Sequence, residues 1–244
     1  MADYDAKFYG GQADASEASA AAIVPLILQA IPARTVLDVG CGVGTWAKVF
    51  QDNGVDAWGV DGPWVRGLRI AEERFSAVDF ERPPYSAARC PERVDLVTTF
   101  EFVEHVDGAR AEALVDFLTS RADVVVCGGA IPGQGGTHHV NEQWPAYWRD
   151  LFAARGYVAY DFLRPLAWGL PVEPWYVQNA IGYFNGQVPA EVRRQAEAAA
   201  IANLDAPLSL VHPDLFRRKM GENAKLRHKV KWGPLRKLVP MRSD

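Results

Sequence analysis

The stretch Val36-Leu-Asp-Val-Gly40-Cys-Gly42-Val-Gly44-Thr-Trp46 constrains this chain more than any other, because an apolar run opens there onto three alternating glycines. Residues 36–39 have the β-branched, apolar character of a strand buried on both faces. Trp46, Ala47, Val49 and Phe50 then recur at helical spacing. The glycines therefore mark a strand-to-helix turn. Lacking Cβ atoms, Gly40, Gly42 and Gly44 adopt positive φ and let a ligand approach the main chain, while the free amides at the helix start face it. Asp61 ends the next apolar run, in Trp-Gly-Val-Asp61-Gly, where a carboxylate accepts both hydroxyls of a ribose. Together these features describe a cradle for an adenosyl ligand. A lone Gly-x-Gly-x-Gly is a weak pattern, and it gains weight from the strand before it, the helix after it and the acid beyond.

The rest of the chain repeats this strand–helix alternation. Residues 16–31 predict an amphipathic helix with Ser16 as N-cap and Pro25 as a kink. Further strands are predicted at 57–60, 75–78, 94–99 and 123–127, separated by helices at 45–52, 64–71 and 109–121. A helix at 143–155 follows, with Gly156 as its C-cap. Strands at 157–163 and 178–184, joined by a proline- and aromatic-rich connection at 165–176, form an antiparallel edge. An Ala- and Glu-rich helix at 189–203 closes the series. The expected fold is an α/β, Rossmann-like, mostly parallel seven-stranded sheet with helices on both faces and an antiparallel edge strand.

A chain of 244 residues, about half of them apolar, is long enough for one sizeable domain, read here as residues 1–205. The net charge of −4 gives no general attraction to nucleic acid or anionic membrane. Residues 206–244 form a basic tail, which from Arg217 to Arg242 carries Arg217, Arg218, Lys219, Lys225, Arg227, Lys229, Lys231, Arg236, Lys237 and Arg242 against only Glu222. Such a run reads as a solvated helix, a frayed end, or a clamp for an anionic substrate or surface. Cys41, Cys90 and Cys127 are odd in number and widely spaced, against both a disulfide framework and a zinc knuckle. They suit a reducing cytoplasm. The acidic opening lacks the basic start of a secretory signal, and no run reaches the length of a membrane span, so a cytoplasmic protein is expected.

The cradle alone serves nicotinamide cofactors as well. Four details favour another ligand: the turn is Gly-x-Gly-x-Gly rather than Gly-x-Gly-x-x-Gly; Asp38 precedes its first glycine by two; Asp79-Phe80 ends the third strand; and Asp95-Leu-Val-Thr-Thr-Phe100-Glu101-Phe-Val-Glu104-His105 ends the fourth. In these respects residues 36–163 resemble the class I S-adenosylmethionine-dependent methyltransferases. The resemblance implies that Asp38 and the backbone of Gly40, Gly42 and Gly44 lie along the methionine, that Asp61 holds the ribose, and that Asp79 and Phe80 frame the adenine. Phe100 and Glu101 would border the sulfonium. It further implies an N-terminal helical lid, with Tyr9, Gln12, Ser16 or Ser19 reaching the cofactor carboxylate.

The loop Ala130-Ile-Pro-Gly-Gln134-Gly-Gly136-Thr-His138-His139-Val-Asn141-Glu142-Gln143-Trp144 directly follows the fifth strand. Ligands of open parallel sheets bind beyond the carboxyl ends of the strands, so this loop shares a pocket with Glu101, Glu104 and His105. Its His-Val-Asn-Glu-Gln-Trp segment is similar to one in methyltransferases of glycan or natural-product assembly, which implies a small-molecule or glycan acceptor. Methyl transfer from a sulfonium is an in-line displacement that requires a positioned acceptor and, for a hydroxyl, a proton acceptor. His139 is the first choice of base and His138 the second, with Glu142 or Glu104 as orienting group and Trp144, Tyr147, Trp148 and Trp175 as apolar walls.

A metal-assisted reading stands beside this one. Glu101-x-x-Glu104-His105 with the later His139 resembles the metal site of the terminal-ribose methyltransferases of small RNAs, which implies Mg²⁺ or Mn²⁺ on those four residues. Glu-x-x-Glu-His also occurs in methyltransferases resembling the quinone-pathway enzymes. Apart from the tail the chain lacks a basic, aromatic RNA platform, so nucleic acid is disfavoured as a partner. A homodimer is compatible with the sequence. A nucleotide-binding scaffold without catalysis and a NAD-dependent oxidoreductase are the rival readings.

Overall fold

The structure, a computed structural model, describes residues 6–200 and 209–232, with side chains over 15–200 and 209–223 and at Lys225. The chain divides into two compact units, Met1–Leu210 and Val211–Asp244. The first contains seven strands: β1 (Thr35–Val39), β2 (Asp56–Asp61), β3 (Phe75–Ala77), β4 (Leu96–Phe100), β5 (Val124–Gly128), β6 (Val158–Tyr160) and β7 (Ile181–Phe184). Its helices are α1 (Ala6–Ala30), α2 (Thr45–Asp52), α3 (Ala111–Arg121), α4 (Pro145–Ala153), α5 (Leu163–Ala167), α6 (Pro174–Asn179) and α7 (Ala190–Ala199). The described part of the second unit holds α8 (Pro213–Trp232). Among the described residues no helix is long and apolar enough to cross a membrane.

The strands form one sheet in the order β3-β2-β1-β4-β5-β7-β6. All neighbours are parallel up to β5, and β7 runs antiparallel to both β5 and β6. Strand side chains alternate between two apolar layers, as the period of two demands. Val36, Leu96, Val124 and Val126 pack with Ile27, Phe50, Leu163 and Val177 from the helices on one face. Leu37, Val97, Val125 and Cys127 pack with Leu114, Leu118 and Phe152 of α3 and α4 on the other. The order reverses between β1 and β4, so a crevice opens at their carboxyl ends, where the glycine turn and Glu101 lie.

Several expected elements take another form. Residues 64–71 form no α-helix. Pro63 and Gly67, at φ 71°, break the helical path, and the apolar spacing serves a loop instead. In that loop Ile70 packs into the space left by Gly44, and the Arg69 amide donates to the Val43 carbonyl at 2.7 Å. Ser16 is not an N-cap, because α1 already runs from Ala6. Its hydroxyl instead accepts from Tyr176 Oη at 3.1 Å, and Ser19 Oγ accepts from the Glu173 amide at 3.1 Å. The side chains of Tyr9 and Gln12 lie outside the described residues.

The two expected closing strands are shorter than their apolar runs, since α5 takes Leu163 and α6 takes Gln178. Here a side chain replaces the ladder. Arg164, buried to 2% exposure, donates through Nε and Nη2 to the Gln178 carbonyl at 2.9 and 2.5 Å, and through Nη1 to Asp161 at 3.1 Å. Replacing Arg164 by Met would strand a carbonyl and a carboxylate in the interior, at about 3–5 kcal/mol. We expect Arg164→Met to lower the urea midpoint accordingly; a midpoint equal to the wild type would contradict this account.

Candidate active site

The glycine turn is held from two sides. The Gly40 and Cys41 amides both donate to the Val60 carbonyl, at 2.8 and 3.1 Å, which ties the turn to β2. Gly40, at φ 75°, leaves room for the Phe102 ring, which any Cβ there would overlap. Gly42, at φ 55°, differs: a Cβ there would meet nothing within 4 Å, so its main chain borders open space. Asp61 closes the turn, because Oδ2 accepts from the Gly42 amide at 2.7 Å and Oδ1 from Gly62 at 2.6 Å. Each oxygen keeps a second lone pair. Burial raises the Asp61 carboxyl above its usual range, and the Gly62 and Gly42 amides oppose the rise.

Asp38 sits beneath the turn, opposite its β4 register partner Thr98. The Thr98 hydroxyl donates to Oδ1 at 3.0 Å, whereas Oδ2 is buried with no hydrogen-bond partner. Burial pushes this carboxyl up to about 7; Thr98 holds it down, neighbouring Asp61 adds to the rise, and the Ala47 amide opposes it. A buried acid with one bare oxygen beside an open backbone suits the ammonium of an amino-acid ligand.

At the other end of the cradle, the Asp79 carboxylate accepts from the Glu81 amide at 3.0 Å and pairs with Arg82 at 3.4 Å. Phe80 is buried at the centre of a ring cluster, 4.9 Å from Phe102, 5.1 Å from Tyr85 and 5.9 Å from Phe117. Phe80 thus packs in the core, whereas the Asp79 carboxylate is 38% exposed and keeps lone pairs beyond these two contacts.

Glu101 follows the last residue of β4 with φ 50°, a left-handed conformation for a non-glycine residue. Phe100 before it stacks on Trp46 at 4.2 Å and meets Tyr176 at 6.2 Å. The Glu101 carboxylate accepts from Gln134 Nε2 at 2.6 Å and from Asn179 Nδ2 at 2.7 Å. Burial raises its carboxyl to about 7, with the Asn179 and Gln134 amides opposing. Sequence reasoning gave Asn179 no role. The one signal was a pair of amides, Gln178-Asn179, inside a run otherwise apolar enough to be read as strand.

The loop after β5 brings His139 to the β4 end. Glu142 organises it, accepting from the Gly133 and Gly135 amides at 2.7 and 2.8 Å, while His139 Nδ1 lies 3.0 Å from Glu142 Oε1. The His139 ring rests against Gly136, where a Cβ would overlap it. Its Nε2 points to Glu104, 3.9 Å from Oε1. Glu104 is fully buried and neither carboxylate oxygen has a hydrogen-bond partner; burial, with Glu101 nearby, raises it well above the carboxylate range. His105 Nδ1 lies 3.3 Å from the His138 carbonyl, and its ring meets His139 edge-on at 4.9 Å. Burial, with His139 beside it, lowers His105 to about 4.

Glu104, His105 and His139 each offer a ligand atom, all within 4.8 Å of one another. Their chemistry fits a divalent cation: a carboxylate without partners beside two imidazoles whose Nδ1 atoms are engaged by oxygen acceptors, which leaves both Nε2 lone pairs open. Glu101 lies outside this trio, and both its oxygens accept amide hydrogens. His138 is exposed at φ 60° and reaches the cluster through its carbonyl. Of the expected walls, Trp144 and Tyr147 are at least partly exposed and Trp175 half-buried, whereas Trp148 lies in the core.

The Asp38 environment has a consequence for pH. The folded chain holds a proton that the unfolded chain, with the ordinary value of 3.8, releases. Stability from this group is therefore complete below about pH 4 and lost as pH rises through about 7. Asp38→Asn should melt above the wild type at pH 8, by about 2–4 °C for each kcal/mol recovered, and alike at pH 4. Calorimetry at both values checks this, and a lower midpoint at pH 8 would refute it.

Residues 12–123 match a family model described as a methyltransferase domain. No curated protein matches the chain in sequence. Among solved structures, human N-acetylserotonin methyltransferase in complex with SAM is 15% identical at a TM-score of 0.52, over 74% of this chain and 55% of that one. A chain of the complex between the Haloferax volcanii Trm112 methyltransferase activator and the putative methyltransferase is 17% identical, at 0.54, over 75% and 98%. A putative O-methyltransferase from Nostoc punctiforme PCC 73102 is 17% identical, at 0.54, over 73% and 59%. The chain thus spans little more than half the length of the human and Nostoc proteins. At these identities the likeness is one of fold. The match over residues 12–123, just under half of the chain, supports a methyltransferase domain.

Proposed function

We propose that this chain transfers a methyl group from S-adenosylmethionine to a hydroxyl of a saccharide or glycosylated small molecule. The observation that carries the reading is the convergence of Glu104, His105 and His139 just beyond the β4 end, in the stretch that follows Glu101. Asp38, the open main chain at Gly42 and the Asp61 carboxylate form the donor side. Glu101 separates it from the acceptor side, where His139 and Glu142 form a dyad in the post-β5 loop.

As the acceptor oxygen bonds to the methyl carbon, the carbon–sulfur bond breaks and the hydroxyl proton moves to His139 Nε2. Glu142 at Nδ1 holds the ring in the required tautomer and stabilises the imidazolium. Exposed Trp144 offers an aromatic face of the kind that stacks on sugar rings.

The bare carboxylate of Glu104 favours a second reading, in which the same three residues hold Mn²⁺ or Mg²⁺. Bound there, a divalent cation supplies a Lewis acid that lowers the pKa of an acceptor hydroxyl. His139 then binds rather than accepts a proton, with Glu142 fixing its ring from behind. A sugar and a terminal ribose both present neighbouring hydroxyls to such a site, so RNA ends remain an acceptor to be tested alongside saccharides.

His139→Ala should lower S-adenosylhomocysteine release with an accepted saccharide by about 100-fold or more and leave calorimetric S-adenosylmethionine affinity unchanged. Unaltered turnover would remove His139 from the chemistry. Chelator treatment followed by Mn²⁺ separates the two readings: activity lost and restored supports the metal, and indifference supports the dyad. Affinity for NAD in place of S-adenosylmethionine would overturn the proposal.

A further inference from the structure

We infer that Gln134 and Asn179 are positioning residues that aim the Glu101 carboxylate at the donor's sulfonium. The inference rests on the proposed donor and on Glu101 bordering its sulfur. The three side chains form a closed ring. Gln134 Nε2 and Asn179 Nδ2 donate to separate oxygens of Glu101, at 2.6 and 2.7 Å, and Asn179 Nδ2 also donates to Gln134 Oε1 at 3.0 Å. Gln178 Nε2 in turn donates to Asn179 Oδ1 at 2.8 Å, so the Asn179 amide is committed at both ends. A flipped Asn179 would turn its oxygen on the carboxylate, which fixes the orientation of the ring.

Position and charge give the ring its meaning. Two residues beyond the paired Asp38 and Thr98 come Gly40, just past β1, and Phe100, the last residue of β4, so Glu101 stands beside the glycine turn. Phe100 also stacks on Trp46, in the first turn of α2. Among the described residues Glu101 forms no ion pair, and its carboxylate is served by neutral amides alone. Such donors stabilise an anion without neutralising it. The arrangement suits a cation that arrives with the ligand, and a sulfonium is one. The donors come from separate elements, the loop after β5 and the end of α6, and Glu101 itself sits at φ 50°, a strained conformation.

The test compares S-adenosylmethionine, which carries the sulfonium, with neutral S-adenosylhomocysteine, by calorimetric titration of the chelator-treated full chain. Each variant is read as the ratio of the two dissociation constants, donor over product, so a general loss of fold moves both and cancels. Glu101→Gln should raise the ratio roughly tenfold, and Gln134→Met by several-fold. In the double variant the rise should not exceed that of Glu101→Gln alone, because Gln134 acts through Glu101. Asn179→Leu should behave like Gln134→Met. If it fails to fold, Gln134→Met in its loop carries the test. An unchanged ratio in Gln134→Met beside a raised one in Glu101→Gln overturns the positioning role and leaves the sulfonium reading standing. An unchanged ratio in Glu101→Gln overturns both.

Discussion

Everything at this site depends on the placement of β1 between β2 and β4. Three parallel neighbours end at the same edge of the sheet, which sets Gly42, Asp61 and Glu101 around one crevice although 59 positions separate the first from the last. The bonds that make this exact are few: two amides of the turn on the Val60 carbonyl, and the Asp61 carboxylate on the amides of Gly42 and Gly62. Asp61 thus builds the cradle from inside as well as offering lone pairs to a ligand.

Around that crevice the interior carries carboxylates without cations. Asp38 has one bare oxygen, Glu104 has two, and Glu101 is met only by amides. Burial raises all three, so the folded chain accepts an unfavourable charge arrangement here that it avoids elsewhere, as at Arg164 and Asp161. Strain gathers in the same place, with Glu101 and His138 the non-glycine residues at positive φ among those described. Local conflict of this kind is the physical mark of a site completed by what it binds. A donor with an ammonium and a sulfonium, and a divalent cation, would each answer one of these charges.

Much of the frame was legible in the sequence. The run ending in Gly40-x-Gly42-x-Gly44, the acid at Asp61 and the alternation of apolar runs gave the sheet and its crevice, because buried parallel strands and backbone turns leave local patterns. Residues 64–71 were misleading. Val65, Leu68 and Ile70 fall at helix-like spacing, yet they pack on the core from a loop, where Ile70 fills the space that Gly44 and Gly59 leave. Phe80 and Trp148 were equally ambiguous, since an aromatic ring looks the same in sequence whatever it packs against, and here both pack in an apolar cluster.

The sequence by itself determined the order of the strands, the helices apart from 64–71, α5 and α6, the glycine cradle and the supply of acids and histidines at the strand ends. These rest on periodicity and on residues whose conformational preference is their own. Only the tertiary structure decided which groups meet: Asn179 with Glu101 across 78 positions, Ser16 with Tyr176 across 160, and Glu104 and His105 with His139 across the width of α3 and β5. Such contacts leave no local pattern, because a hydrogen bond or a ligand set requires proximity in space, and proximity is fixed by the packing of the whole sheet.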